Sequence, residues 1–162
     1  MSLPLELFTV TTAVQPNISF RLVQEEDRRP LHCTCYSNYN TLQFRDLFNH
    51  LMRRQEQGRC FWIVIVIGDS IIGNGQLIVY STSAECANLF VIPEYRRQGI
   101  GTALIEVLTA VAYHLNITNL EIGVSIDNPR ALALYQRLGF QEDRHLQLPD
   151  SKSSIILHKE IK

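Results

Sequence analysis

The stretch ECANLFVIPEYRRQGIGTALIEVLTAVAYHLNITNLEIGVSI, residues 85–126, changes its hydrophobic spacing twice. Residues 85–92 are mostly apolar and stop at Pro93, which cannot donate to a strand ladder, so they read as a strand. A helix opens at about Gly99 and runs to Leu115, because Ile100, Leu104, Val107, Leu108, Val111 and Leu115 recur at steps of three and four. Residues 120–126 then alternate, with Glu121, Gly123 and Ser125 on one side. Strand, helix and strand in this order make a parallel crossover.

Outward from that unit the spacing predicts antiparallel strands. Upstream, 61–67, a Gly68-Asp69-Ser70 turn and 71–80 form a hairpin, and Gly73 and Gly75 within it mark a bulge or a close backbone approach. Residues 18–22 alternate as a first strand, and Glu25, Glu26 and Asp27 suit the first turn of a helix. After a loop at 36–40, a second helix over 41–57 carries apolar Leu42, Leu47, Phe48, Leu51 and Met52 and ends at Gly58. Downstream, a short helix from Asn128 or Pro129 to Leu138 stops at Gly139, and strands follow over 140–148 and 153–160. The expected fold is α/β: a central mixed, mostly antiparallel sheet of about seven strands, helices on both faces and one parallel crossover. Residues 1–16 read as a lead-in and 17–162 as one domain.

Composition narrows the function. The chain has 162 residues, 46% hydrophobic and 19% charged, with 15 basic and 16 acidic side chains. A disordered chain needs fewer apolar residues, and a nucleic-acid binder needs a surplus of Lys and Arg that is absent here. The longest apolar run, 60–67, is eight residues against the roughly twenty of a spanning helix, so no membrane partner is expected. Cys33, Cys35, Cys60 and Cys86 form no C-x-x-C pair, and Cys33, Cys35 and His32 supply at most three zinc ligands, so no metal is expected. The first ten residues lack a basic segment and contain Glu6, which predicts no signal peptide, reduced thiols and a cytoplasmic location.

Chemistry concentrates in two strings. In Arg96-Arg97-Gln98-Gly99-Ile100-Gly101-Thr102, between strand and helix, two glycines let backbone approach a bulky ligand and the first-turn amides point at an anion. With Arg96 and Arg97 beside them, a phosphate or pyrophosphate is the expected guest. The loop is not a P-loop, since no Lys precedes Thr102, and it lacks the third small residue of a dinucleotide fingerprint, where Leu104 stands. In the second string, Asn128-Pro129-Arg130-Ala131-Leu132-Ala133-Leu134-Tyr135-Gln136-Arg137-Leu138-Gly139-Phe140, Tyr135 shares a helical face with Ala131, Leu134 and Leu138. Alone, Tyr135 reads first as a packed core tyrosine.

Together the two strings resemble the GNAT superfamily of N-acetyltransferases. Arg96-x-x-Gly99-x-Gly101 matches the family's pyrophosphate loop, and the second string its N-x-x-A-x-x-L-Y-x-x-L-G-F. The resemblance implies acetyl-CoA as cosubstrate and a strand ending at Leu89, Phe90, Val91 and Ile92 that splays from its parallel neighbour. That backbone would pair with the pantetheine arm and polarise the thioester carbonyl, while amides of Arg97, Gln98, Gly99, Ile100, Gly101 and Thr102 take the pyrophosphate. Asn128 would hydrogen-bond the pantetheine end, and Tyr135 would protonate the departing thiolate. Glu85 is the first candidate for general base, Glu121 the second and His145 the third. Arg97 stands where the family more often has glycine. Tyr36 and Tyr39 lie where relatives build an acceptor pocket, with Glu121 beside it, so specificity is expected from 25–57 and 140–153. The acceptor would be a small-molecule amine or a protein amino group, transfer would be direct within a ternary complex, and a homodimer is consistent with the family. The alternative is a non-catalytic acyl-CoA-binding module of the same fold.

Overall fold

Strands β1 (Ile18–Leu22), β2 (Cys60–Ile67), β3 (Ser70–Val79), β4 (Ser83–Val91), β5 (Asn119–Ser125), β6 (Gln141–Gln147) and β7 (Ser153–Glu160) form one sheet in the order β1-β2-β3-β4-β5-β7-β6. They belong to a computed structural model that describes residues 3–10, 16–150 and 152–162. Every neighbouring pair is antiparallel except β4 and β5. The mixed sheet with one parallel crossover is the expected fold class.

Helices α1 (Arg28–Cys35) and α2 (Thr41–Glu56) cover one face, and α3 (Ile100–His114) and α4 (Pro129–Arg137) the other. This double cover explains β2, CFWIVIVI, which is buried at all but its last residue because alternate side chains enter two separate cores. Under α1 and α2, Phe44, Phe48 and Trp62 pack as an aromatic cluster. Under α3 and α4 the larger core holds Phe61, Ile63, Leu104, Leu108, Leu120 and Leu157. On the outer edge, β6 is exposed along its length.

Local sequence sets the boundaries. Asn40 caps α2 by accepting from the Gln43 amide, while the Gln43 side chain accepts from the Asn40 amide. That start places Phe44, Phe48 and Leu51 on the sheet and leaves Leu42 62% exposed, which corrects the apolar face read from the sequence. Glu25–Asp27 form a 3-10 turn ahead of α1 rather than its first turn. Burial pushes the Asp27 carboxyl upward, but hydrogen bonds from Arg21, at 2.6 and 2.9 Å, and from the Gln24 amide hold it below the usual carboxylate range. In the lead-in, Leu3 is buried and Leu7, Phe8 and Val10 pack on the α3 side, while residues 1, 2 and 11–15 lie outside the described residues.

The four thiols are free, with Cys60 and Cys86 buried. Burial pushes the Cys60 thiol to about 11 and the Cys86 thiol to about 12, so neither supplies thiolate near neutrality. Among the described residues no helix is long and apolar enough to cross a membrane.

Candidate active site

The parallel ladder between β4 and β5 is short. Ser83, Ala84, Glu85 and Cys86 pair with Asn119, Leu120, Glu121 and Ile122, and no pair follows. Beyond Cys86, β4 stays paired to β3 alone as far as Val91, so the strands part and the β5-facing backbone of β4 borders a gap. The expected splay is therefore present.

A bulge shapes the open strand. Between the pairs Gln76 with Ala87 and Asn74 with Phe90, β4 has two residues, Asn88 and Leu89, against the single Gly75 of β3. Asn88 takes up the excess at φ 53°, a left-handed conformation that asparagine tolerates better than most residues. The two glycines of β3 are there for space: a Cβ on Gly75 would stand 2.8 Å from Leu89 Cδ2, and one on Gly73 would stand 2.4 Å from the Phe90 carbonyl oxygen. Of the four residues expected to present backbone, Ile92 does not, because its amide donates to the Ile72 carbonyl at 2.9 Å.

At the end of β4 the chain turns through Pro93–Tyr95 into α3. Arg96 folds back here: its Nε donates to the Val91 carbonyl at 2.7 Å and its guanidinium lies 5.4 Å from the Phe90 ring centroid. It therefore braces the loop, a use the sequence did not reveal. Arg97 at φ 61° and Gly99 at φ 79° turn the chain so that α3 begins without a side-chain cap. The left-handed angle at Arg97 accounts for the glycine more usual there. A Cβ on Gly101 would meet nothing within 4 Å, so the first turn of α3 is bordered by open space. Uncapped amides, the positive helix end and Arg97 fit a pyrophosphate.

Tyr135 lies on the α3 side of the sheet, 9% exposed, with its ring 6.3 Å from that of Phe140. Burial raises its phenol pKa, and Cys86, the last β4 residue of the parallel ladder, raises it further. Tyr135 thus shares the α3-side core with Cys86, where the parallel ladder ends, and burial holds its proton through the neutral range. Asn128 caps α4 by accepting from the Ala131 amide at 3.1 Å, which engages its carbonyl oxygen and leaves its NH2 group for a ligand.

The other face of the sheet holds the carboxylates. Glu85 and Glu121 are direct partners across the ladder, and Tyr80 donates to Glu85 Oε2 at 3.1 Å. Arg144 clamps Glu121 with bonds of 3.1 and 3.2 Å, and with Asp143 at 2.6 Å as well, its guanidinium is held charged above the ordinary arginine range. Glu121 is thereby held in a solvent-exposed ion pair. His145 pairs with Ile155, a residue of the α3 and α4 core, and so stands on the opposite face from Glu85. Of the two carboxylates on this face, Glu85 accepts from the Tyr80 hydroxyl while Glu121 pairs with Arg144.

Of the two tyrosines expected at an acceptor pocket, Tyr39 is 38% exposed in the turn between α1 and α2. Tyr36 is not at a surface: it is buried, and its hydroxyl donates to Asn74 Oδ1 at 2.9 Å. This corrects its place in a pocket, because a tyrosine whose ring packs on Phe44 and Trp62 belongs to the core. Sequence reading missed Asn74 and Gln76, although two polar residues alternating with glycines in an otherwise apolar strand were a signal. A cavity of about 710 Å³ runs along the outside of α3 past Thr102, Ile105 and Tyr113 to Leu138 and Lys159.

The acetyltransferase (GNAT) family profile matches residues 24–140. An uncharacterized N-acetyltransferase of Methanocaldococcus jannaschii is 35% identical over 104 residues, covering 59% of this chain and 44% of that protein. The [ribosomal protein bS18]-alanine N-acetyltransferase of Escherichia coli K12 is 35% identical over 75 residues, 43% of this chain and 51% of that protein. The matched stretch thus spans about half the length of these curated relatives. Among solved structures, the spermidine N-acetyltransferase of Vibrio cholerae in complex with CoA and spermine superposes with a TM-score of 0.76 at 20% identity, covering 90% of this chain and 96% of that one. At that identity the likeness is one of fold.

Proposed function

This chain belongs to the acetyltransferase (GNAT) family, and on that premise we propose that it transfers an acetyl group from acetyl-CoA directly to a primary amine within a ternary complex. The observation that carries the reading is the parting of β4 from β5 after Cys86, with Tyr135 in the same core as Cys86 and the uncapped α3 following the end of β4. A binding module needs the loop, but it has no use for a buried phenol beside the thioester.

Bound acetyl-CoA supplies an activated acyl group on a leaving thiolate. The amides of 97–102 hold its pyrophosphate, and the Asn128 NH2 group steadies the pantetheine. As the amine nitrogen bonds to the acyl carbon and the C–S bond breaks, amides at 89–91 take the charge on the carbonyl oxygen, commonly the largest catalytic contribution. Glu85 receives the amine proton directly or through water, and Tyr135 returns a proton to sulfur.

Thiol release should be assayed over a polyamine, an aminoglycoside and an alanine-ended peptide. CoA release with at least one amine supports the reading, whereas acetyl-CoA binding without release to any amine makes the chain a module. Glu85→Gln should lower kcat/KM at neutral pH by about 10²-fold. Activity should recover as pH rises toward the amine's own pKa, roughly 10.4 for a lysine-type amine, because free amine then needs no base. An unchanged pH profile would remove Glu85.

Gly101→Ala should raise the KM for acetyl-CoA about tenfold, since the new methyl occupies the space in front of the α3 amides. Stability should hold or improve by about 0.5–1 kcal/mol, because alanine is the better helix former. Parallel melting and binding titrations check both, and an unaltered KM would place the pyrophosphate elsewhere.

A further inference from the structure

Beneath the face that carries Glu85 runs a line of hydrogen bonds that the steps above do not use. Asn74 and Gln76 of β3 are 1% and 2% exposed. Asn74 Oδ1 accepts from the Trp62 indole N–H and from the Tyr36 hydroxyl, both at 2.9 Å. Gln76 Nε2 donates to the Tyr36 hydroxyl oxygen at 3.4 Å, and Gln76 Oε1 accepts from Asn88 Nδ2 at 3.1 Å. The line starts on β2, passes the end of α1 and finishes on the bulge of β4.

Buried carboxamides cost free energy unless bonded, and packing alone would be met by leucine or valine at 74 and 76. What a satisfied polar line adds is a single geometry. Here it joins two parts that share no strand: the turn after α1, which carries Tyr39, and the bulged pair Asn88 and Leu89 beside the gap. Asn88 is exposed, so its carboxamide could be solvated instead, yet it reaches inward to Gln76.

We propose that Gln76 and Asn88 are positioning residues, whose carboxamide bond ties the bulge of β4 to the α1–α2 turn so that the oxyanion amides and the amine-receiving turn keep one relative geometry. The role in turnover rests on the acetyltransferase reading; the tether itself does not.

Gln76→Leu tests it, since leucine keeps the volume and leaves Asn74 with both donors. Asn88→Gly is the surface counterpart, because glycine accepts φ 53° and lacks only the carboxamide. By amide hydrogen exchange, each variant should speed exchange at 36–41 and 86–91 together, by about tenfold, with β7 unchanged. In turnover each should lower kcat on the order of tenfold while the KM for acetyl-CoA stays within about twofold, and the double variant should fall no further than either single one. Faster exchange in one segment only, or losses that multiply in the double variant, would overturn the tether. If exchange responds in both segments but the parent chain releases no thiol with any amine, the tether stands and the acetyltransferase reading fails.

Discussion

Tyr135→Phe is expected to lower kcat by about 10²–10⁴-fold while the affinity for acetyl-CoA changes less than about twofold. The substitution deletes one oxygen from a side chain that is 9% exposed and keeps the ring against Phe140. Packing and the pyrophosphate cradle are therefore retained, and what disappears is the phenol proton proposed to reach the departing thiolate. Burial, assisted by Cys86, keeps that proton on the phenol across the neutral range, as a general acid requires. Single-turnover thiol release with calorimetric binding of acetyl-CoA separates the two effects. A variant that turns over within about threefold of the parent would return Tyr135 to the role of a core tyrosine.

Gly73→Ala should damage both stability and catalysis. Its Cβ would lie 2.4 Å from the Phe90 carbonyl oxygen, 2.9 Å from Ile65 Cδ1 and 3.2 Å from Val91 Cα. The isoleucine methyl can swing aside, but the carbonyl is backbone fixed by the pairs Gly73 with Val91 and Asn74 with Phe90. Relief therefore requires β4 to move at the segment expected to hold the thioester. Overpacking of this kind costs about 1–3 kcal/mol, a loss of roughly 2–12 °C in Tm for a chain of this size. A shift near 1 Å at the reacting carbonyl would lower kcat by about 10²-fold. Thermal melts and steady-state kinetics read the two losses, with Gly101→Ala as the control that spares stability. Full activity and an unshifted Tm would show that the strand has room the geometry denies.

Much of the site was legible because its parts are local. The loop at 96–102 is a run of adjacent backbone amides, and the cap at Asn128 and the face of Tyr135 follow from helical spacing within one turn or two. The roles that failed in sequence depend on partners distant along the chain. Arg144 reaches Glu121 across 23 positions and so pairs it, and Tyr36 meets Asn74 across 38 and so leaves the pocket. Leu42 was misplaced for a smaller reason: it stands nine residues before Leu51, which at about 100° per residue puts it on the opposite side of α2.

By itself the sequence determined the element order, the two-sided burial of β2, the single parallel crossover and the anion-accepting start of α3. Each is written in hydrophobic period, in a proline or glycine, or in a cap, and those act over a few residues. Only the tertiary structure decided where β4 leaves β5, which carboxylate stays unclamped, and that buried carboxamides run from Trp62 to the bulge at Asn88. Those outcomes depend on strand register and on side chains meeting across the sheet, which local spacing leaves open.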